Sequence, residues 1–323
     1  MSKLSNVSCY VTEKISVDNI DISEYITTDN LLQNKRGRVI AEKLPTQKVT
    51  KFKKDDILIA NIRPYLKKIW QADIDGGASS DVLVVRPNNL IDNNFLYYAL
   101  TQDSFFEYVM KGSKGTKMPR GDKSQIMNFV IPDLEIGEQI KIGKLLKSID
   151  QKIQINNQIN QELEAMAKTL HDYWFVQFDF PDQNGKPYKS SGGKMVYHPE
   201  LKREIPEGWG VTKVCELQIA TGKRDANFGT ENGKYDFWTT ANSPIKADEF
   251  SFEGKAILIA GNGNFYVNFT EGKFEAYQRT YVIQSEDENM LIFMYMACLQ
   301  SVEKLRKGSN GSIIKYGRNF FLK

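Results

Sequence analysis

The sequence predicts an α+β protein in which two related mixed α/β domains are joined by a long helix that forms a coiled coil. Three observations support this class: short β-rich runs separated by turns, one apolar stripe with helical spacing, and a repeat of the first domain near the end of the chain. With 323 residues, 41% of them hydrophobic and 26% charged, the chain has the length and composition of a two-domain globular protein.

The first domain is predicted over residues 1–132. Short β-rich runs occur as ILIANI at 57–62, DVLVVRP at 81–87 and FVIP at 129–132, with turns between them. One stretch with helical spacing, FLYYALTQDSFFEYVMK, occupies 95–111. Together these runs indicate a mixed α+β domain.

A long spacer helix is predicted over residues 133–178. Its apolar residues recur at steps of three and four, and neither Gly nor Pro interrupts the pattern after Gly143. A helix from about Glu135 to Tyr173, capped by Asp133, would be roughly 58 Å long. We predict that its apolar stripe is a subunit interface formed by Ile142, Leu146, Ile149, Ile153, Ile159, Leu163, Met166, Leu170 and Trp174.

The charge and polarity of this helix favour a protein partner over nucleic acid. Residues 135–175 carry six acidic against five basic side chains, whereas a helix that lies along phosphates would be clearly basic. Asn156 and Asn160 lie near the apolar seam, where a coiled coil uses polar residues to fix its register. The alternative, a long core helix of one domain, is disfavoured because the pattern has no second apolar face.

The second domain is predicted from an internal repeat. The segment 53–68 (KKDDILIANIRPYLKK) matches 253–268 (EGKAILIAGNGNFYVN) at an offset of 200 residues. FLYYALTQ aligns with FMYMACLQ at an offset of 199 or 198, and KGSKGTKM at 111–118 aligns with KGSNGSII at 307–314 at an offset of 196. Three matches in the same order indicate two copies of one domain.

Domain boundaries follow from this repeat. Residues 179–204 are rich in Gly, Pro, Ser and Lys without periodicity and are predicted to be a linker, so the second domain covers 205–323. Lys323 aligns with Met127, so we expect the second domain to be truncated at its C-terminus, without a counterpart of the long helix. We also expect it to be less stable than the first domain unless a partner completes it.

Basic residues are clustered, although the net charge of +3 is too small to identify a partner. Residues 35–54 hold eight Lys and Arg against one Glu, residues 111–123 hold five against one Asp, and a third cluster lies within 303–318. Such clusters indicate contact with a polyanion at defined places. The alternative for each cluster is a solvated surface.

Catalytic functions find little support in the sequence. A GxxxxGK phosphate loop and an Asn-Pro-Pro-Tyr-like methyltransferase segment are absent. The Pro-Asp pair at 132–133 is explained by the start of the helix, and Glu271 with Lys273 has no acidic partner in view. His171 and His198 are the only histidines, and we interpret His171 as a packing or surface residue rather than an acid/base group.

The cysteines and the N-terminal residues bear on the compartment. Cys9, Cys215 and Cys298 lack CxxC spacing, which fits a reducing compartment and argues against a zinc site. The first residues do not read as a signal peptide, and no apolar run approaches 18 residues. We therefore expect a cytoplasmic protein.

Several short motifs follow one another along the chain. They are IPDLEIGEQIKIGKLLKSID at 131–150, LHDYWFVQFDFP at 170–181 and IPEGW at 205–209, together with the strand motif DDILIANIRP and its second copy GKAILIAGN. In this order they closely resemble the specificity (S) subunit of type I restriction–modification systems. The first looks like the family's Pro-Leu-x-x-Gln-x-x-Ile segment, the second like the aromatic end of its helix, and the third like the lead-in to its second domain.

The resemblance implies two target recognition domains that each read half of a bipartite duplex DNA site, and helices that bind two methyltransferase (M) subunits. It further implies an assembly with a restriction (R) subunit in which the S subunit is not an enzyme. S-adenosylmethionine, ATP and Mg would then belong to partner subunits, and the chain would hold no cofactor. A full-length member has a second long helix, so we expect a second S chain or an M subunit to cover the stripe of 142–174.

Two segments in each copy are the candidates for DNA contact. Sequence reading needs polar side chains at base edges and cations or amides at phosphates. The glycine turns after the helical stretches offer both, although Gly after a helix is also an ordinary cap. The segments after the ILIA strands differ, with cations in the first copy and amides in the second. The predicted DNA-binding residues are Arg63, Tyr65, Lys67, Lys68, Lys111, Ser113, Lys114, Thr116, Lys117, Arg120, Asn262, Asn264, Tyr266, Lys307, Ser309, Asn310, Lys315 and Arg318.

A second hypothesis is a coiled-coil scaffold whose end domains bind proteins without reading DNA. Basic loops at equivalent places in both copies favour DNA reading. Specific duplex binding that weakens steeply with salt would support the DNA-binding hypothesis, and no DNA binding even with M subunits present would support the scaffold.

Overall fold

The structure is a computed structural model and describes residues 1–115, 117–211 and 218–307. The chain divides into two compact units, unit 1 at Met1–Asn160 and unit 2 at Gln161–Lys323. Both units combine short strands with helices, which confirms the predicted mixed α+β class. Within the described ranges, no helix has both the length and the hydropathy of a membrane-spanning segment.

The elements of unit 1 are short, apart from the last helix. The strands are β1 Ser2–Lys3, β2 Ser8–Tyr10, β3 Lys14–Ile15, β4 Tyr25–Ile26, β5 Val49–Phe52, β6 Ile57–Ala60, β7 Ile69–Gln71, β8 Gly76–Ala78, β9 Val82–Pro87 and β10 Val130–Ile131. The helices are α1 Leu4–Val7, α2 Asn93–Leu100, α3 Asp103–Lys111, α4 Lys123–Ile126 and α5 Ile136–His171, whose last residues belong to unit 2.

Two four-stranded sheets form the core of unit 1, with the strand orders β2-β9-β6-β7 and β3-β5-β8-β4. Every residue of β6 is buried because the first sheet is covered on both faces. Ile57 and Ile59 share a core cluster with residues of α2 and α3, whereas Leu58 and Ala60 share one with residues of the second sheet. The ILIA run is therefore apolar throughout rather than alternating.

Helix α5 is unbroken for 36 residues, about 54 Å at 1.5 Å per residue. It continues into one π-helical turn at Asp172–Val176. This confirms the predicted long helix. Asp133, the predicted cap, instead lies 3.6 Å from the N-terminal amine of Met1, and the carbonyl of Glu135 accepts the first helical hydrogen bonds.

Unit 2 contains the end of α5, ten further strands and a last helix within its described residues. The strands are β11 Met195–His198, β12 Arg203–Pro206, β13 Gln218–Thr221, β14 Tyr235–Trp238, β15 Ile245–Ala247, β16 Phe252–Glu253, β17 Ala256–Ala260, β18 Val267–Thr270, β19 Lys273–Ala276 and β20 Thr280–Gln284. The helix is α6 Glu288–Lys307.

Unit 2 repeats the strand order of unit 1. Its first sheet, β13-β20-β17-β18, corresponds strand by strand to β2-β9-β6-β7. The register is also preserved: Ile57 pairs with Val85, and its counterpart Ile257 pairs with Ile283. In the second sheets, β16-β19-β14 corresponds to β5-β8-β4, including the parallel pair, while β3 and β15 extend opposite edges. The repeat predicted from the sequence is therefore a repeat of topology.

The helices that follow these sheets start in the same way. The side chain of Asp92 accepts a hydrogen bond from the backbone of Phe95, and the side chain of Asp287 accepts one from Met290. These caps align Phe95 with Met290 at an offset of 195 residues, not with Phe293 as the aromatic match in the sequence suggested. The difference is close to one helical turn, which leaves the same face of the helix against the sheet.

The segment predicted to be a linker, 179–204, includes β11 and the first residues of β12, which together form a β-hairpin. Its start is fixed by Asp179, whose carboxylate accepts hydrogen bonds from the backbone and hydroxyl of Ser190 at 2.7 and 2.6 Å. Phe180 stacks on Trp209 with ring centroids 5.0 Å apart. The periodicity of the sequence gave no sign of these contacts, because they join residues far apart in an aperiodic stretch.

Candidate nucleic-acid interface

The two basic segments predicted for the first copy lie against each other in unit 1. The backbone N–H of Arg63 donates to the carbonyl of Pro119 at 2.8 Å, and that of Gly121 donates to Asn61 at 3.1 Å. The loop after α3 is thus attached along the segment that follows β6.

A third segment, which precedes β5, completes this surface. The backbone N–H groups of Asn34 and Lys35 donate to the carbonyls of Leu66 and Lys67, both at 2.9 Å. We call the three segments, residues 28–38, 61–68 and 111–121, the basic surface. All three contribute to one small cavity of about 100 Å³, lined by Thr28, Asp29, Ile62, Arg63, Leu66, Lys68 and Met118.

The first of these segments was not among the predicted site residues. Lys35, Arg36 and Arg38 were visible only as part of the basic run 35–54. Arg38 packs its guanidinium over the ring of Trp70 at 4.7 Å, which fixes the end of the segment on the sheet. The run KRGR was the signal that could have identified it.

In the described part of the basic surface, four residues other than glycine have left-handed backbone conformations. These are Asn34, Lys35, Arg63 and Lys67, with φ values of 56°, 62°, 51° and 51°. Such conformations cost a residue other than Gly about 1 kcal/mol each, and they concentrate at functional sites. The hydrogen bonds between the segments hold these residues in place.

Several cations of the basic surface have partners within unit 1. Lys67 lies 3.0 Å from the carboxylate of Asp103, and Lys35 lies 2.6 Å from the same oxygen. The hydrogen bond from Lys35 is the main reason why the pKa of Asp103 is below its usual value, and Lys67 adds to it. The ammonium of Lys68 donates to the carbonyl of Thr28.

The loop after α3 also contains ion pairs. Arg120 lies 3.1 Å from Asp81, and Lys114 lies 3.7 Å from Asp122. The hydroxyl of Ser113 donates to the carbonyl of Met110 at 2.8 Å and so closes the last turn of α3. These contacts order the loop, and the side chains of Arg120 and Lys114 remain exposed.

The remaining predicted residues of unit 1 point to solvent. Arg63, Lys111 and Lys117 are exposed, and in the part of the chain that the structure describes none of them has a carboxylate within 4 Å. Tyr65 is also exposed beside them. Thr116 lies outside the described residues.

The corresponding loop of unit 2, residues 261–266, keeps two left-handed positions of its counterpart but not its charge. Gly263 and Phe265 have φ values of 72° and 54°, at the places of Arg63 and Lys67. Because the loop is shorter by two residues, the offset between the copies changes from 200 at β17 to 198 at β18.

The predicted residues of this loop carry neutral polar groups. The amide of Asn264 donates to the hydroxyl of Tyr266 at 3.1 Å. The Oδ1 atom of Asn262 is buried and accepts no hydrogen bond from any described residue. Lys307 ends α6, and its side chain is outside the described part, as are Ser309, Asn310, Lys315 and Arg318.

The predicted interface of α5 is largely uncovered. Leu146 and Trp174 are partly buried, and the other seven predicted residues are exposed, Met166 by 67%. Every residue from 151 to 170 is exposed. Leu145 and Ile155 add to the apolar area, and Ile155 was missed because it lies off the main stripe. A helix of this length gains little stability in water without a packed face.

A different face of α5 attaches it to unit 1. Gln139 accepts a hydrogen bond from the backbone of Asp92 at 3.0 Å, Lys147 donates to Asn94 at 3.1 Å, and Asp150 accepts one from the Tyr98 hydroxyl at 2.8 Å.

Gly143 lies between these polar contacts, and its backbone is close to Asp92 and Phe95. Burial is the main reason why the pKa of the Tyr98 hydroxyl is raised, and its hydrogen bond to Asp150 adds to it. Polar contacts and a glycine thus dock α5, and its apolar stripe remains available.

The end of α5 packs within unit 2 through His171. The imidazole is 8% exposed and stacks on Phe293 with ring centroids 5.5 Å apart. The amide of Gln300 donates to His171 Nδ1 at 2.8 Å and to Asp172 at 2.7 Å. Burial lowers the pKa of His171, and the neighbouring Asp172 opposes this shift. This environment supports packing, as the sequence predicted, rather than proton transfer.

No group of three or more His, Cys, Asp or Glu side chains suited to a metal ion occurs within residues 1–115, 117–211 and 218–307. Two cavities in the described part of unit 1 are lined by residues of the basic surface, and another is lined by residues of the loop 39–45.

Comparison with known proteins finds sequence similarity to type I specificity subunits. Residues 8–165 match the family model described as the type I restriction modification DNA specificity domain. The type I restriction enzyme EcoDI specificity subunit of Escherichia coli is 39% identical over 119 residues, 36% of this chain and 26% of that protein. The type I restriction enzyme HindI specificity subunit of Haemophilus influenzae is 30% identical over 209 residues, 61% of this chain and 45% of that protein. The matched parts span less than half of either relative.

A solved structure has a similar fold. The S subunit of a type I restriction–modification system from M. genitalium superposes with a TM-score of 0.56 at 15% identity, covering 95% of this chain and 78% of that one. The structure is thus a duplicated α+β protein whose fold is similar to that of this S subunit. Over residues 8–165 the chain is similar to the DNA specificity domain of type I restriction–modification systems.

Proposed function

We propose that this chain is the DNA-reading, non-catalytic subunit of a type I restriction–modification complex, and that each of its units reads one half of a bipartite duplex site. The observation that carries this proposal is the loop after the central strand. Both units present it at the same place on the same topology, with two left-handed residues at equivalent positions, yet its side chains differ between the units. One scaffold with two different loops is suited to reading two different half-sites.

The chemistry of the loops fits this division. In unit 1, Arg63, Lys111 and Lys117 are exposed cations without a carboxylate within 4 Å in the described part of the chain, which suits phosphates and guanine edges. In unit 2, Asn264 is exposed and offers an amide, which suits an adenine edge. The two half-sites would then differ in sequence, and the whole target would be asymmetric.

The exposed stripe of α5 supports a helical partner. We infer that M subunits or a second S chain cover it, and that R subunits join the assembly through them. S-adenosylmethionine, ATP and Mg belong to those partners in this proposal, and the complex acts in the cytoplasm. In this proposal the partner subunits catalyse adenine methylation and DNA cleavage.

Selection from a random duplex pool tests the DNA reading. The chain, with M subunits, is expected to enrich duplexes with two short fixed elements separated by an unconserved spacer. Arg63→Ala should relax one element only, and Asn264→Ala should relax the other, each by about 1–3 kcal/mol at the affected base pairs. Enrichment of no sequence would contradict the proposal, and so would relaxation of both elements by each variant.

Introduction of a negative charge into the apolar stripe of the long helix tests the partner surface. Leu163→Glu places a carboxylate in the stripe and should weaken association with the partner by at least about tenfold, because a buried leucine contributes about 1.5–3 kcal/mol. Gln161→Glu adds the same charge on the opposite face and should leave association unchanged. Sedimentation of the chain alone and with M subunits identifies which partner binds. Equal behaviour of the two variants would refute the interface.

A further inference from the structure

Lys35 and Lys67 converge on a single oxygen atom in unit 1. Their ammonium groups lie 2.6 and 3.0 Å from Oδ1 of Asp103, the first residue of α3. Among the described residues, Asp103 is the one carboxylate that forms ion pairs with two lysines. The lysines come from different segments of the basic surface, so this carboxylate connects the segments.

The backbone brings the two lysines to this place. The N–H of Lys35 donates to the carbonyl of Lys67 at 2.9 Å, and both residues have left-handed conformations. A right-handed or extended backbone at either position would point the side chain in another direction. The strained left-handed backbone therefore directs both ammonium groups to one point. Two ammonium groups that share one anionic oxygen form the arrangement that a phosphate oxygen would occupy.

The ion pairs are open to exchange. The side chain of Asp103 is 58% exposed, and that of Lys35 is 30% exposed. Water and dissolved ions therefore reach the contact, and a competing phosphate oxygen can replace the carboxylate without any change in the fold.

We propose that Asp103 is an internal competitor of the DNA backbone: in the unbound protein it holds Lys35 and Lys67 in place, and in the complex a phosphate oxygen takes its position. This inference rests on the proposed binding of DNA by unit 1. Asp103 thus positions the phosphate-binding lysines and also limits the electrostatic affinity of the basic surface, which restrains binding to duplexes of unrelated sequence.

The test is the salt dependence of binding to a random-sequence duplex of about 30 base pairs, measured by fluorescence anisotropy from about 50 to about 200 mM salt. Asp103→Asn in the full chain should bind roughly 3- to 10-fold more tightly than the unaltered protein. The slope of log affinity against log salt concentration should become steeper by about one unit, which corresponds to one more ion released on binding, because one opposing charge is removed. Asp103→Ser serves as a second variant that keeps a polar residue at the start of α3.

The chain offers a matched control for the change in net charge. Glu13 forms an ion pair with Lys51 at 2.9 Å, with exposures of 53% and 33%, and belongs to none of the three segments of the basic surface. Glu13→Gln should change neither the affinity nor the salt slope. Lys35→Gln with Lys67→Gln should weaken binding more in the Asp103→Asn background than in the unaltered protein.

The possible outcomes distinguish a failure of this inference from a failure of the proposed DNA-binding function. Tighter and steeper binding by both Asp103 variants, with the control unchanged, supports the competitor. Binding by the variants that equals the control overturns it. Weaker binding also overturns it, since Asp103 would then only organise the loops. Absence of duplex binding by the unaltered chain with M subunits present removes the proposed function as well.

Discussion

Gly143 of the long helix packs closely against the start of α2, and its replacement by alanine should destabilise the protein. An added Cβ would lie 2.6 Å from the Asp92 carboxylate and 2.9 Å from the backbone nitrogen of Phe95, both shorter than real contacts allow. These atoms form the cap of α2 and have little freedom to move. Alanine gains up to about 1 kcal/mol of helix propensity, whereas overpacking costs about 1–3 kcal/mol and a disturbed cap about 1 kcal/mol. The net expectation is a loss of about 1–3 kcal/mol of stability.

Gly137 provides the comparison, because nothing lies within 4 Å of the position that its Cβ would take in the same helix. Gly137→Ala should stabilise the chain slightly, by up to about 0.5–1 kcal/mol. Urea unfolding gives the sign, and hydrogen exchange of residues 93–100 reports on unit 1 directly. Gly143→Ala should accelerate exchange there and Gly137→Ala should not. If both substitutions stabilise the protein equally, the close contact between α5 and α2 is refuted.

Three further predictions concern buried groups. Asp56 is 2% exposed and receives two hydrogen bonds from Arg86, at 2.8 and 2.7 Å, so Asp56→Ala should cost about 2–3 kcal/mol in urea unfolding, less than a fully buried pair because Arg86 reaches water. Burial lowers the pKa of His171, so His171 binds a proton at higher pH in the unfolded chain than in the folded protein. The free energy of unfolding should therefore fall as the pH drops from about 7.5 to about 5.5. His171→Phe should reduce that pH dependence, and an unchanged pH profile would contradict this prediction. Burial raises the pKa of the Cys298 thiol to about 11, so iodoacetamide should label exposed Cys9 first and Cys298 only on unfolding, as peptide mapping would show.

Much of the architecture could be predicted from local pattern. The long helix follows from apolar residues at steps of three and four, and the structure has it at Ile136–His171. The duplication follows from the repeated ILIA strand, and the strand orders of the two units agree with it. Both signals are contained in neighbouring residues, so they survive without knowledge of the fold. The hairpin at Met195–Pro206 has no such signal and could not be predicted.

The candidate site was only partly predictable for the same reason. The basic loops after β6 and α3 were recognised from their composition, whereas the contribution of Lys35 and Arg36 was not. Backbone hydrogen bonds to Leu66 and Lys67 bring that segment into the surface, and they join residues about 32 positions apart. The exposed Ile155 was missed because the helix presents more than one apolar line to solvent.

Amino-acid order alone specified the periodic features: the rod-like helix, the two copies of one domain and the places where positive charge accumulates. The fold decided which of those charges share a surface and which are balanced, because Lys35, Lys67 and Asp103 meet only after strands and helices have packed. It also decided that polar contacts and Gly143 attach α5 to unit 1. Periodicity depends on neighbours in the chain, whereas ion pairing and close packing depend on distances in space that the sequence does not contain.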